Sequence, residues 1–194
     1  HFTGATTAGS GDQIINVPAR VKSMKSLFFV NQGTDGDAYD KFNISCGFNN
    51  SLNSYQLKIG SVVYPPTPIQ CLFGDGVPLS VYDNRSECLM ELAKSWGNVG
   101  SSKGIGQLNW FNYMNTNSVI ASTQQGVQFG PCGIDLEAFQ RVAIESGVNT
   151  ADRSLPISLV LNFASNAKVM TYDVYVLADA LFYINADGSM SVSV

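Results

Sequence analysis

Histidine is almost absent from these 194 residues: there is one, His1. That removes the usual base for a Ser or Cys nucleophile and the commonest metal ligand. Charge is sparse as well, at 13% of residues, with a net −4. An acidic chain lacks the basic face that nucleic acid or an anionic membrane surface would attract, so no direct nucleic-acid partner is expected. No apolar run approaches the ~20 residues of a membrane span. Cys46, Cys71, Cys88 and Cys132 are widely separated, without a C-x-x-C pair. That spacing and the lack of histidine disfavour zinc, and free, mostly buried thiols are expected instead. Gly104-Ile105-Gly106 has no strand, helix or acidic residue of a dinucleotide site around it, and there is no P-loop. The expected catalytic, cofactor-binding and metal residues are accordingly none.

What is present is β pattern. Residues 1–12, rich in Gly, Thr, Ser and Ala, read as a flexible linker at the front of a piece cut from a longer chain. One domain is expected over 13–194. Ile157, Leu159, Leu161 and Phe163 alternate onto one face. From Met170 to Ile184 every even position is apolar or aromatic. A straight strand of that length would span about 50 Å at roughly 3.3 Å per residue, so a bend or bulge is expected near Ala178-Asp179-Ala180. Asn185-Ala186-Asp187-Gly188 then turns the chain into a last strand, Ser189 to Val194.

Between these lies the segment Tyr55 to Gly97. Tyr55 to Ile59 alternates as a strand, and Pro65, Pro66 and Pro68 are expected to stop it. Asn84 to Trp96 reads as a helix, with Asn84 and Glu87 as a capping box and Gly97 as the residue beyond its end. Its expected buried arc is Cys88, Leu89, Leu92, Ala93 and Trp96. Short strands are also expected at 42–48, 118–122 and 126–129, and a helical turn over Leu136 to Ile144. The fold class is all-β: an antiparallel two-sheet sandwich with one or two short helices in inter-strand loops. The pattern leaves the jelly roll and other Greek-key sandwiches open.

Few residues carry chemistry. Asp35, Asp37 and Asp40 share a loop that fits calcium only loosely, lacking the glycine and distal glutamate of a hand-type site. Leu108, Trp110, Phe111, Tyr113 and Met114 form an aromatic cluster of core or interface type. The two features together motivate an alternative reading, a carbohydrate- or receptor-binding module. A third reading, a glycosidase, rests only on unassigned carboxylates, since no spacing singles out a pair. Asn43, Asn49 and Asn84 each fit the short N-glycosylation pattern.

Four segments in order resemble the major capsid proteins of the double jelly-roll lineage, nearest to those of Polinton-like and adintovirus-like elements and of adenovirus hexon type. They are Val17 to Leu27 (Val-Pro-Ala-Arg-Val-Lys-Ser-Met-Lys-Ser-Leu), Tyr55 to Gly60 with Tyr64 to Ile69, Ser86 to Leu92, and Phe129 to Phe139 with Ser146 to Thr150. The resemblance implies the C-terminal jelly roll of a longer, non-enzymatic shell protein without cofactors. It also implies self-association as a homotrimer, or with a preceding roll of the same protein, into pseudo-hexagonal capsomers. Other capsid proteins would be its partners, and it would reside in the virion after assembly in the host cell.

Overall fold

The computed structural model describes residues 1–32, 47–48, 52–71, 85–97, 128–129, 131–138, 146–163 and 169–194. The strands are β1 (Phe2–Ala5), β2 (Gly11–Asn16), β3 (Met24–Gln32), β4 (Gly47–Phe48), β5 (Leu52–Ile59), β6 (Val62–Gln70), β7 (Gln128–Phe129), β8 (Cys132–Asp135), β9 (Ile157–Phe163), β10 (Thr171–Ala178), β11 (Leu181–Ile184) and β12 (Met190–Ser193). The helix α1 spans Arg85–Ser95. Two four-stranded antiparallel sheets face each other, one ordered β1-β10-β3-β8 and the other β2-β9-β5-β6. The chain changes sheet at each step between these eight strands except at the β5–β6 hairpin. That alternation is jelly-roll order, so the open choice among Greek-key sandwiches is resolved.

The core lies between the sheets because each strand turns alternate apolar residues inward. Ile157, Leu159, Leu161 and Phe163 on β9 are all buried, as the alternation predicted. They face Leu27 and Phe29 on β3 and Tyr172 and Val174 on β10. Phe29 and Tyr55 meet edge to face at 4.9 Å, and the Tyr55 hydroxyl reaches across the sandwich to donate to the Gly133 carbonyl at 3.1 Å. An aromatic in the core thus satisfies its polar tip, which a buried hydroxyl requires.

Two expectations are corrected. Residues 1–12 do not form a linker: Phe2–Ala5 pairs with β10 along its whole length, and Gly11 and Asp12 already belong to β2. Gly4 there has a packing reason. A Cβ at Gly4 would lie 2.3 Å from Ile15 Cγ2, so glycine lets β1 close onto β2 at the sandwich edge. The prolines do not end the β5–β6 pairing either. Leu57 pairs with Tyr64 and Tyr55 with Ile69, so Pro65 to Pro68 bulge outward opposite the single residue Gln56. Its amide donates to the Pro65 carbonyl at 2.7 Å. Because β6 is the sheet edge, residues without an N–H cost it no second partner, and they guard the edge against further pairing.

The long even-numbered run divides where expected. The β10–β3 register shifts between Leu177 and Ala178, the chain breaks over Asp179 and Ala180, and β11 then pairs with β12 in a two-stranded sheet of its own. On β10 the even residues Tyr172 and Val174 are buried and Val176 and Ala178 half-buried, whereas on β11 Phe182 and Ile184 are exposed. The expected turn is built by a Gly188 N–H bond to the Asn185 carbonyl at 2.9 Å, with Gly188 at φ +83°.

The helix lies on β8. Cys88 and Leu92 are fully buried and Leu89 and Ala93 half-buried, but Trp96 is exposed and only leans on Phe28 at 5.8 Å. The buried face is completed instead by Glu91 and Ser95. Gly97 has φ +63° and its N–H bonds the Lys94 carbonyl at 2.7 Å, the expected terminating geometry. Asn84 and most of the expected strands at 42–48 and 118–129 lie outside the described residues, apart from β4 and β7. Leu136 to Ala138 are not helical, and the rest of that expected turn is likewise outside.

Candidate functional site

Three polar or nucleophilic constellations and one apolar surface stand out. In the first, Cys71 follows β6, Cys88 is on α1 and Cys132 opens β8, and all three are buried and outside any disulfide. Cys71 Sγ lies 3.0 Å from Cys88 Sγ, and Cys88 donates to the Gln70 carbonyl at 3.1 Å. Burial, reinforced by the neighbouring Cys132, pushes the Cys71 thiol up. Contact with Cys71, then burial, pushes Cys88 up. Nucleophilic attack and metal ligation both need thiolate, which this setting suppresses. The cluster acts as a compact apolar seat for the helix.

The seat is close. A Cβ at Gly133 would lie 2.7 Å from Ser95 Oγ and 3.2 Å from the Leu92 Cα, so only glycine on β8 lets the helix backbone approach. Buried Glu91 is held by the Asp135 N–H at 3.1 Å and by Lys94. Ser26 donates to the Ser95 carbonyl at 2.6 Å. These bonds satisfy polar groups that burial would otherwise penalise.

The second constellation joins residues far apart in sequence. Lys25 Nζ contacts Glu137 Oε1 at 2.9 Å and Asp179 Oδ1 at 3.1 Å. Ser23 donates to Asp179 Oδ2 at 2.8 Å, and Ser146 to Glu137 Oε1 at 3.1 Å. Hydrogen bonding to Glu137 raises the Lys25 pKa, outweighing the opposing effect of burial, and Asp179 adds to the rise. A lysine so held keeps its proton at neutral pH rather than serving as a base, and both carboxylates bond to it. The group clamps three places together: the start of β3, the segment after β8, and the joint between β10 and β11. No sequence spacing marked Glu137 and Asp179 as neighbours; only the fold brings them to one lysine.

The third constellation contains the sole histidine. His1 Nε2 lies 3.2 Å from Asp173 Oδ1, which also accepts from Thr3 Oγ1 at 3.1 Å, while the imidazole rests on the Tyr175 ring at 4.7 Å. The contacts are with β1 and β10, and they tie the end of β1 to the sheet. Among the described residues no group of three His, Cys, Asp or Glu is arranged to hold a metal ion. The acidic loop Asp35 to Asp40, the aromatic cluster around Trp110, and Cys46, Asn43, Asn49 and Asn84 lie outside the described residues.

The apolar surface is the β11–β12 hairpin. Phe182 pairs with Val192 and Ile184 with Met190, so these four side chains share one face. They are 72%, 54%, 76% and 73% exposed respectively, and Val194, in phase with Val192, is 50% exposed. The opposite face carries Leu181, Tyr183, Ser191 and Ser193. At its base Leu181 and Ser193 are half-buried and Lys22 Nζ donates to Ser193 Oγ at 2.7 Å, while Tyr183 and Ser191 nearer the tip are exposed. The sequence marks the turn and the apolar even positions up to Ile184, but not whether anything covers them. No described helix is long and apolar enough to cross a membrane. In comparison with known proteins, the chain matches no family model, no curated protein and no solved structure.

Proposed function

We propose that the chain is a wall-forming jelly roll of a viral major capsid protein, assembling as a homotrimer, or beside a preceding roll of the same protein, into pseudo-hexagonal capsomers. The observation that carries the reading is the strand order β1-β10-β3-β8 facing β2-β9-β5-β6. That order is used by capsid domains, and also by lectins and cupins, so the fold alone does not choose among them. The choice leans on the four capsid-like segments and the work they do in this fold. Val17 to Leu27 leads from β2 into β3 and supplies Ser23 and Lys25 of the clamp. Tyr55 to Ile69 is the β5–β6 hairpin with its proline bulge. Ser86 to Leu92 lies in the helix seated on β8. Ser146 to Thr150 bonds back to the first segment, with Met24 N–H donating to the Val148 carbonyl at 2.8 Å and Thr150 N–H to the Val21 carbonyl at 2.8 Å.

A shell wall needs rigid sandwiches and contact surfaces, not a reactive constellation. The three described thiols, the imidazole and the carboxylates of Glu91, Glu137, Asp173 and Asp179 make internal contacts, which supports a structural part over an enzymatic one. Light scattering and electron microscopy on the full-length parent protein test the proposal. Trimers or particles are expected, and a parent that stays monomeric at high concentration contradicts it.

A further inference from the structure

A hairpin standing apart from both sheets is an odd place for an uncharged apolar face. Two isolated strands are marginal in water, because they bury little and expose both edges. Yet this hairpin is carefully held at both ends. At its tip, Asp187 Oδ1 accepts from Ser189 N at 2.9 Å and from Ser189 Oγ at 2.7 Å, and Asn185 donates to Ser189 Oγ at 2.8 Å. At its base, Asp179 is gripped by Lys25 and by Ser23, whose carbonyl also accepts the Asp179 N–H at 3.1 Å. Such a base presents the strands in a fixed direction. The clamp stiffens a surface that nothing in the described structure covers.

We propose that the face formed by Phe182, Ile184, Met190, Val192 and Val194 is a docking surface for the same face of a second copy of this chain. The area argues for it. If a large side chain offers about 200 Å² in full and a valine somewhat less, the five exposures amount to roughly 500–600 Å² of apolar surface. That is at the top of what an ordinary monomer shows in one patch. Two such faces packed together remove about 1,000–1,200 Å², enough to clear the size a specific interface needs and within the range of weak, reversible ones. The composition argues for a copy rather than a different partner. A twofold contact must match itself, and a surface of one character with no Lys, Arg, Asp or Glu does so without placing like charges together. A charged peptide would find nothing here to pair with.

A lipid surface is the other occupant an exposed aromatic hairpin suggests, and the geometry opposes it. The apolar residues line the flank of the strands, whereas the tip that would enter first is Asn185-Ala186-Asp187-Gly188-Ser189. Its bonds from Ser189 hold the Asp187 carboxyl below the usual carboxylate range, so the tip carries a negative charge. A flat flank suits another flat flank. The inference stands on the hairpin's own geometry and does not require the shell reading.

Sedimentation velocity on the purified full chain, over a wide concentration range, tests it. The unaltered chain is expected to dimerise reversibly. Phe182→Thr with Ile184→Thr places β-branched, strand-favouring residues at exposed positions, so the fold should survive. It should weaken the dimer by at least roughly a hundredfold, because four large apolar side chains, two from each copy, no longer leave water. If that variant misfolds by circular dichroism, Met190→Ser with Val192→Thr on the facing strand makes the same change. Ile14→Thr, which trims an equally exposed residue on β2, should dimerise like the unaltered chain. A chain that stays monomeric throughout overturns the proposal, as do hairpin variants that dimerise undiminished. Monomers that co-float with phosphatidylcholine vesicles overturn it in favour of lipid. None of these outcomes touches trimer formation by the parent protein, so the two proposals fail separately.

Discussion

Tyr172 and Val174 on β10 and Phe182 and Ile184 on β11 belong to one alternating run, but the first pair lies buried between two sheets and the second faces water. The difference is not in the residues. β10 is flanked by β1 and β3 and covered by the opposite sheet, while β11 has β12 alone. Apolar alternation therefore states which side chains share a face, not what covers that face. Where the cover is part of the same chain, the run becomes core. Where the chain offers none, the run becomes a surface available to something else.

Matched substitutions sharpen that contrast. Placing a carboxylate at Val174→Asp should cost at least several kcal/mol and abolish the cooperative unfolding transition in urea, because the buried charge has no partner. An unchanged midpoint would mean that the sheets do not close over β10. Gly133→Ala probes a cover of a different kind, the helix over β8. Its methyl would meet Ser95 and the Leu92 backbone, and a loss of about 1–3 kcal/mol is expected, as for overpacking elsewhere. No loss would mean that the helix stands further from the strand.

The joint between the two regions should respond to pH. The Lys25 pKa is raised in the folded protein above its ordinary 10.5, through Glu137 first and Asp179 in support. The folded state therefore holds that proton more tightly than the unfolded chain does. The resulting stabilisation is complete below about pH 10.5 and is lost as pH rises through the higher folded value. Thermal midpoints should fall in that alkaline window for the unaltered chain and fall less for Lys25→Met. The smallest effect belongs to Ile184→Asp, the counterpart of Val174→Asp. On an exposed strand it should move stability by no more than about 0.5 kcal/mol while removing association. A large loss there would show the hairpin face to be covered within the monomer.

Much of the sandwich was legible because its signals are local. The period-two run at Ile157 to Phe163, the Asn185-to-Gly188 turn, the break near Asp179 and the helix ending at Gly97 each depend on neighbours in sequence. The misread parts depend on remote ones. Gly4 makes residues 2–5 look like linker unless Ile15 is known to lie beneath it. The prolines look like a strand's end unless β6 is known to be an edge. Trp96 was expected inside because helical phase alone does not reveal that Glu91 and Ser95, once bonded to β8 and β3, can occupy the buried side. The Lys25, Glu137 and Asp179 clamp had no spacing to announce it. For the hairpin the position was legible and the exposure was not, since alternation is silent about cover.

Amide hydrogen exchange measured against protein concentration tests this account most directly. Amides of β10 should be strongly protected at every concentration, because their cover is intramolecular. Those of β11 and β12 should exchange faster in dilute solution and gain protection as concentration rises. Protection of β11 and β12 that matches β10 in dilute solution, or that ignores concentration, would contradict it.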